Sequence, residues 1–294
     1  LKRIKSVPLC AELELHPCHA WPLILCRPAA WLAMKPRPIL ARPWVHIHNP
    51  SDMTHSPSWL TFQRQQYAEG LFRKGIQTHP ILVSATMRKM KSATPQIAFA
   101  GRSNVGKSTL LNMLMHGNPD PLQKSYLSER KKLERPMAAP VSHKPGRTRH
   151  VFRFEIGGQL TLVDLPGYGF AAVPRGVQEG WSSLIDDYLT QATNLQRVIS
   201  LVDARVGVKE SDEQLWSMLQ SGKKQLMVVL TKIDKVPPEG LNRTMAHVIS
   251  LLQDLDFSYL WPYVHAVSGL HGHGVGELRT SLGAIASDYA AQDG

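Results

Sequence analysis

Residues 101–108 read Gly101-Arg102-Ser103-Asn104-Val105-Gly106-Lys107-Ser108, a G-x-x-x-x-G-K-S run. Such a run cradles phosphate when a strand feeds it and a helix leaves it. Its glycines let backbone N–H groups turn inward, and the helix N-terminus adds the positive end of its dipole. Lys107 is then placed to bridge β- and γ-phosphates, and the Ser108 hydroxyl to ligate Mg²⁺. The expected phosphate contacts are Asn104, Val105, Gly106, Lys107, Ser108 and Thr109. The run alone does not separate ATP from GTP.

Three later clusters narrow the choice. Asp164-Leu165-Pro166-Gly167 ends an apolar run, Gln159–Val163. A carboxylate at the C-terminal end of a strand beside the phosphate-loop strand holds Mg²⁺, and Gly167 lets a backbone N–H approach the γ-phosphate. The apolar run Leu226–Leu230 delivers Thr231-Lys232-Ile233-Asp234. A carboxylate at Asp234 can accept from both N1–H and the 2-amino group of guanine, whereas adenine presents no such donor pair. Val267-Ser268-Gly269 follows a last apolar stretch and is expected to meet the guanine O6 through backbone N–H groups.

These residues need strands and helices to position them. Ile97–Ala100 reads as the strand before the phosphate loop and Thr109–Leu114 as the helix after it. Val151–Glu155, Val198–Val202 and Val264–Val267 read as further strands, with Asp203 closing the second of them. Residues 1–60 show no sustained period, and a short helix is expected around Trp59–Lys74. The sequence therefore divides at about residue 75. Before it lies an irregular, basic, Pro- and Trp-rich extension; residues 76–294 form the phosphate-binding α/β domain.

Charge sharpens the division. Residues 1–93 carry 13 Lys/Arg against 4 Asp/Glu, residues 94–150 carry 10 against 3, and residues 151–294 carry 11 against 16. The basic half suits a polyanion such as RNA. It also suits an organelle-targeting leader, although it is long, rich in proline and poor in serine. The chain opens on Leu1, so a further segment upstream is expected. The three cysteines, Cys10, Cys18 and Cys26, lie eight apart with no Cys-x-x-Cys pair, which excludes a disulfide framework and disfavours zinc. The most apolar stretch, Ala20–Met34, is broken by Pro22, Arg27 and Pro28, so no membrane span is expected.

Four ordered motifs resemble the translation-factor-like P-loop GTPases, and within them the EngB type of ribosome-assembly GTPase. The resemblance rests on Ile97–Ser108, on Pro145-Gly146-Arg147-Thr148, on Asp164-Leu165-Pro166-Gly167-Tyr168-Gly169 and on Thr231-Lys232-Ile233-Asp234. It covers about residues 82–290, and Thr231 in place of the usual Asn is itself a trait of that family. It implies a G domain with a mostly parallel central sheet and helices on both faces. It also implies GTP and GDP binding, Mg²⁺-dependent hydrolysis and a role in maturing the large ribosomal subunit. Its partners would be precursor rRNA, ribosomal proteins and other assembly factors.

By the same resemblance Gly146, Arg147 and Thr148 contact nucleotide, with Thr148 reaching Mg²⁺ and the γ-phosphate. As bare sequence that segment is a Pro-Gly turn. Lys107 and Thr148 stand 41 residues apart, so the switch loop, about 116–147, is expanded and carries Arg130-Lys131-Lys132. Tyr168 stands where many GTPases place a water-orienting glutamine. Catalysis is therefore expected from Lys107, Thr148 and Asn104, the last as a candidate K⁺ ligand in the manner of related GTPases with Asn at that position. The leading expectation is a mitochondrial-matrix assembly factor; another organelle or the cytoplasm is the alternative. Two other functions stay open: a GTP-responsive scaffold with negligible turnover, or a GTPase of tRNA modification or metal transport.

Overall fold

The computed structural model describes residues 42–52, 54–74, 81–83, 92–116, 151–168 and 185–292. Eight strands among them build one sheet: β1 (Trp44–His46), β2 (Ile81–Val83), β3 (Gln96–Gly101), β4 (Val151–Ile156), β5 (Leu160–Asp164), β6 (Leu195–Asp203), β7 (Leu226–Thr231) and β8 (Tyr263–Ala266). Their spatial order is β1-β8-β7-β6-β3-β5-β4-β2. From β8 to β5 neighbouring strands run parallel, and β1 at one edge and β4 and β2 at the other are antiparallel. The chain leaves β3 on one side for β5 and returns on the other for β6. This topological switch point opens a crevice beyond the C-terminal end of β3, where α/β sheets bind ligands.

Alternation along the strands sorts the core into two layers. Ile97, Phe99, Ile199, Leu201, Met227 and Val229 pack against α1 (Phe62–Lys74), α2 (Lys107–His116) and a C-terminal helix, Val275–Gln292. Ala98, Ala100, Val198, Val202, Val228 and Leu230 pack against α3 (Glu210–Ser221) and α4 (Pro238–Leu252). The C-terminal helix is α5. Strands buried on both faces lose the polar/apolar alternation of an exposed sheet, which is why these runs read as continuously apolar. The helices start where their sequences demand: Pro238 sits in the first turn of α4, and Glu210, Asp212 and Glu213 face the positive end of α3. No helix among the described residues is long and apolar enough to cross a membrane.

The described residues of 42–74, which the sequence placed in the extension, pack onto the sheet edge and the C-terminal helix. Strand β1 pairs with the edge strand β8, Trp44 opposite His265 and His46 opposite Tyr263. Trp44 and Trp59 are only 5% and 2% exposed and meet edge to face, ring centroids 6.0 Å apart, with Tyr263 against both. Neither ring is available for stacking on nucleic-acid bases. Helix α1 lies along α5, where a Cβ on Gly283 would stand 2.8 Å from that of Ala68. Arg64 closes the far end of this contact with a two-pronged ion pair to Asp288. The segment showed no period because its buried groups, Trp44, Ile47, Trp59, Leu71 and Phe72, cover an edge and a helix instead of forming one amphipathic element. Cys10, Cys18, Cys26, Trp21, Trp31 and, beyond His116, the expanded switch loop lie outside the described residues.

Candidate nucleotide site

Helix α2 opens at Lys107, directly behind Gly106. Gly106 adopts φ +104°, a conformation that a side chain resists, and Asn104 adopts φ +61°, the left-handed region that Asn tolerates. The loop therefore closes on itself at two left-handed residues. Val105 between them is buried, while Asn104 and Thr109 remain exposed. Lys107 is 8% exposed, and its ammonium contacts the carboxylate of Asp164, which is 1% exposed. Asp164 ends β5, paired in register with Phe99 of β3. The Asp164 carboxylate thus faces the phosphate loop and accepts a cation there. The Asp164 carboxylate and the Ser108 hydroxyl at the start of α2 are oxygen donors of the kind that Mg²⁺ takes.

The base loop is bolted to the phosphate loop from the other side. The Thr231 hydroxyl donates to the Val105 carbonyl at 2.7 Å and lies 3.3 Å from that of Val202. Lys232 is left-handed at φ +57°, and its stem lies over Gly106, Cε 3.5 Å from where a Cβ there would sit. Its ammonium donates to the Asn104 carbonyl and pairs with Asp203 at 3.0 Å. Asp234 is exposed, and one carboxylate oxygen accepts from the Ser268 hydroxyl at 2.6 Å. Ser268 is itself fixed: its N–H donates to the His273 carbonyl at 2.9 Å, and its hydroxyl accepts from the His271 N–H at 3.1 Å. A carboxylate offers about four acceptor positions, so Asp234 keeps capacity for a base while Ser268 sets its angle. Val267 is buried, and Gly269 presses on the start of α2, its Cβ position 3.2 Å from the Leu110 nitrogen.

The structure therefore links the loops that carry Asn104–Thr109, Asp164, Gly167, Thr231, Lys232, Asp234 and Val267–Gly269 by direct contacts. Gly146, Arg147 and Thr148 lie outside the described residues. Reading the sequence missed the ion pair that holds Lys232. Arg205 grips Asp203 with a fork, Nη2 to Oδ2 at 2.7 Å and Nε to Oδ1 at 3.0 Å. Burial pushes the Asp203 carboxyl up, but the hydrogen bonds from Arg205 and Lys232 outweigh it and hold the group at about 2. The available signal was Asp203 itself, an acid closing an apolar strand two residues before an arginine.

Residues 96–232, which hold the phosphate loop, Asp164 and Lys232, match the family described as 50S ribosome-binding GTPase. A protein of Gluconobacter oxydans named "Probable GTP-binding protein EngB" is 37% identical over 192 residues, 65% of this chain and 76% of that protein. Its namesake in Rickettsia bellii is 40% identical over 191 residues, 65% of this chain and 79% of that protein. The chain belongs to the EngB family of GTPases. In this EngB-family chain the threonine that opens the base loop is a brace: its hydroxyl is spent on the Val105 and Val202 carbonyls, which leaves Asp234 as the exposed carboxylate of that loop.

Proposed function

We propose that this EngB-family protein hydrolyses GTP as a nucleotide-dependent switch during assembly of the large ribosomal subunit, in the mitochondrial matrix. The observation that carries the reading is the joining of two loops. A phosphate loop with Lys107 at its helix N-terminus is tied, through Thr231 and Lys232, to a loop whose exposed carboxylate suits guanine. The ribosomal part is supported by the family description, 50S ribosome-binding GTPase. The compartment is supported by the acid-poor, basic composition of residues 1–41.

In this reading Lys107 draws negative charge off the β- and γ-phosphates, and the α2 N-terminus orients N–H donors at them. Ser108 and Asp164 would hold Mg²⁺, with Thr148 as a third ligand. When bound, the ion neutralises charge on the phosphate oxygens. Asp234 selects guanine. Asn104 is proposed to carry K⁺ where other GTPases use an arginine, because the tyrosine after Gly167 cannot orient water as glutamine does. The partners are precursor rRNA, ribosomal proteins and other assembly factors.

Sedimentation with mitochondrial large-subunit precursors tests the proposal. The protein should co-migrate with a non-hydrolysable GTP analogue and leave with GDP, and precursor particles should raise its GTP turnover. Equal distribution with both nucleotides, together with unchanged turnover, would reject the ribosomal role.

A further inference from the structure

The segment after Asp164 is held to the phosphate loop more tightly than a mobile turn requires. A Cβ on Gly167 would lie 2.7 Å from the Ser103 hydroxyl and 3.2 Å from its Cα, so the two loops touch there. One residue on, Tyr168 pairs with Arg102 in an isolated parallel bridge. The Ser103 N–H donates to the Tyr168 carbonyl at 3.0 Å, and the Tyr168 N–H donates to the Gly101 carbonyl at 3.3 Å.

The side chains of that bridging pair then meet again on a third residue. The Tyr168 hydroxyl donates to Oδ1 of Asp212 at 3.0 Å. Arg102 forms an ion pair with Oδ2 of the same carboxylate at 3.1 Å, and its guanidinium also donates to the Gly207 carbonyl at 2.6 Å. Asp212 is fully buried in the first turn of α3, where Oδ2 accepts the Lys209 N–H at 2.9 Å. One carboxylate thus joins the phosphate loop, the turn after Asp164 and the start of α3. Burial, with the Asp212 charge beside it, drives the Tyr168 phenol well above its ordinary range, so the hydroxyl stays a donor at any working pH.

We propose that Tyr168 is a positioning residue for GTP: through the clasp it forms with Asp212 and Arg102, it holds the Gly167 amide against the phosphate loop. The inference rests on the reading of this site as a GTP site. A group that only GTP carries, the γ-phosphate, is the one the Gly167 N–H is placed to meet. Loosening the clasp should therefore penalise GTP and spare GDP. It also accounts for a tyrosine where other GTPases carry glutamine, since the hydroxyl is committed to Asp212 and not to water.

The test is equilibrium binding of GDP and of a non-hydrolysable GTP analogue to Tyr168→Phe, Asp212→Asn and the double variant. Loss of one hydrogen bond of this kind should weaken analogue binding by about 5–10-fold, with GDP affinity within about twofold. The double variant should lose no more than the worse single one, because both break one clasp. If Tyr168→Phe is too unstable to purify, Asp212→Asn alone must show the same split. Equal losses for GDP and the analogue, no loss for either, or additive losses in the double variant would overturn the proposal. Failure of the parent protein to bind either nucleotide would instead reject the GTP reading.

Discussion

The Thr231 hydroxyl donates to the Val105 carbonyl at 2.7 Å, spanning 126 residues of chain to tie the base loop to the phosphate loop. Both residues are buried, at 2% exposure each. Thr231→Val keeps the shape and leaves that carbonyl without its donor, at a cost of about 1–3 kcal/mol. Thermal unfolding should shift down, and GDP and GTP affinities should fall together, since the brace serves both. A variant with parent stability and affinity would show that the two loops hold their spacing without it.

In the proposed reading, Asp234 selects the base. Asp234→Asn replaces an acceptor with a donor where guanine already donates, so GTP binding should weaken by ~10²-fold or more, the weight of two charge-assisted hydrogen bonds. Xanthosine nucleotides, which present an acceptor there, should gain. Competition against a fluorescent GDP reads both changes, and an unaltered preference for guanine would place base reading elsewhere.

The K⁺ proposal for Asn104 needs a substitution that respects the backbone. Asn104 sits at φ +61°, so alanine would add strain, whereas Asn104→Gly removes the side chain and keeps the loop. An arginine finger contributes about 10³–10⁵ in rate, and K⁺ in its place could supply part of that. GTP turnover should rise when K⁺ replaces Na⁺ at constant ionic strength, and Asn104→Gly should erase the difference. Equal parent rates in the two salts would leave Asn104 as a residue that shapes the loop.

Two truncations separate the arm from the domain. Deleting residues 1–37 spares every described residue and should preserve nucleotide binding and melting temperature. Deleting residues 1–60 also removes β1 and the buried Trp44, Ile47 and Trp59. Each lost tryptophan alone is worth about 3–5 kcal/mol, so this protein should be insoluble or melt far lower. Matching stability of the two truncations would show that β1 and the buried tryptophans do not hold the domain together and would keep the boundary at residue 75. If the arm binds RNA, the shorter deletion should also flatten the salt dependence of particle binding.

His265 gives the fold an acid-sensitive point. It lies buried in β8 beside Trp59, ring centroids 5.1 Å apart. Burial, with the Arg197 charge adding to it, pushes its imidazole down from 6.5 to about 3. The folded protein then binds fewer protons at this site than the unfolded chain. Its contribution is fully present above pH 6.5 and is lost as pH falls toward 3. The slope approaches about 1.4 kcal/mol per pH unit within that window. Denaturant unfolding between pH 4.5 and 7.5 should show this slope in the parent and a flatter one in His265→Phe. Parallel curves would remove His265 as the cause.

The nucleotide chemistry was legible because it is local. Gly106, Lys107 and Ser108 are adjacent in the chain, their geometry follows from one strand, one turn and one helix N-terminus, Asp164 closes an apolar run and Asp234 follows another in the short turn after it. Only the tertiary structure decided the contacts that join these pieces. Thr231 to Val105, Lys232 to Asp203 and Tyr168 to Asp212 each connect separate loops, and no spacing along the chain encodes them. The same holds for residues 42–74. A three-residue edge strand carries no period, and its two tryptophans look alike as sequence whether they stack on RNA or on Tyr263. Their burial was settled by an open sheet edge at β8 and by a glycine, Gly283, that lets α1 approach α5.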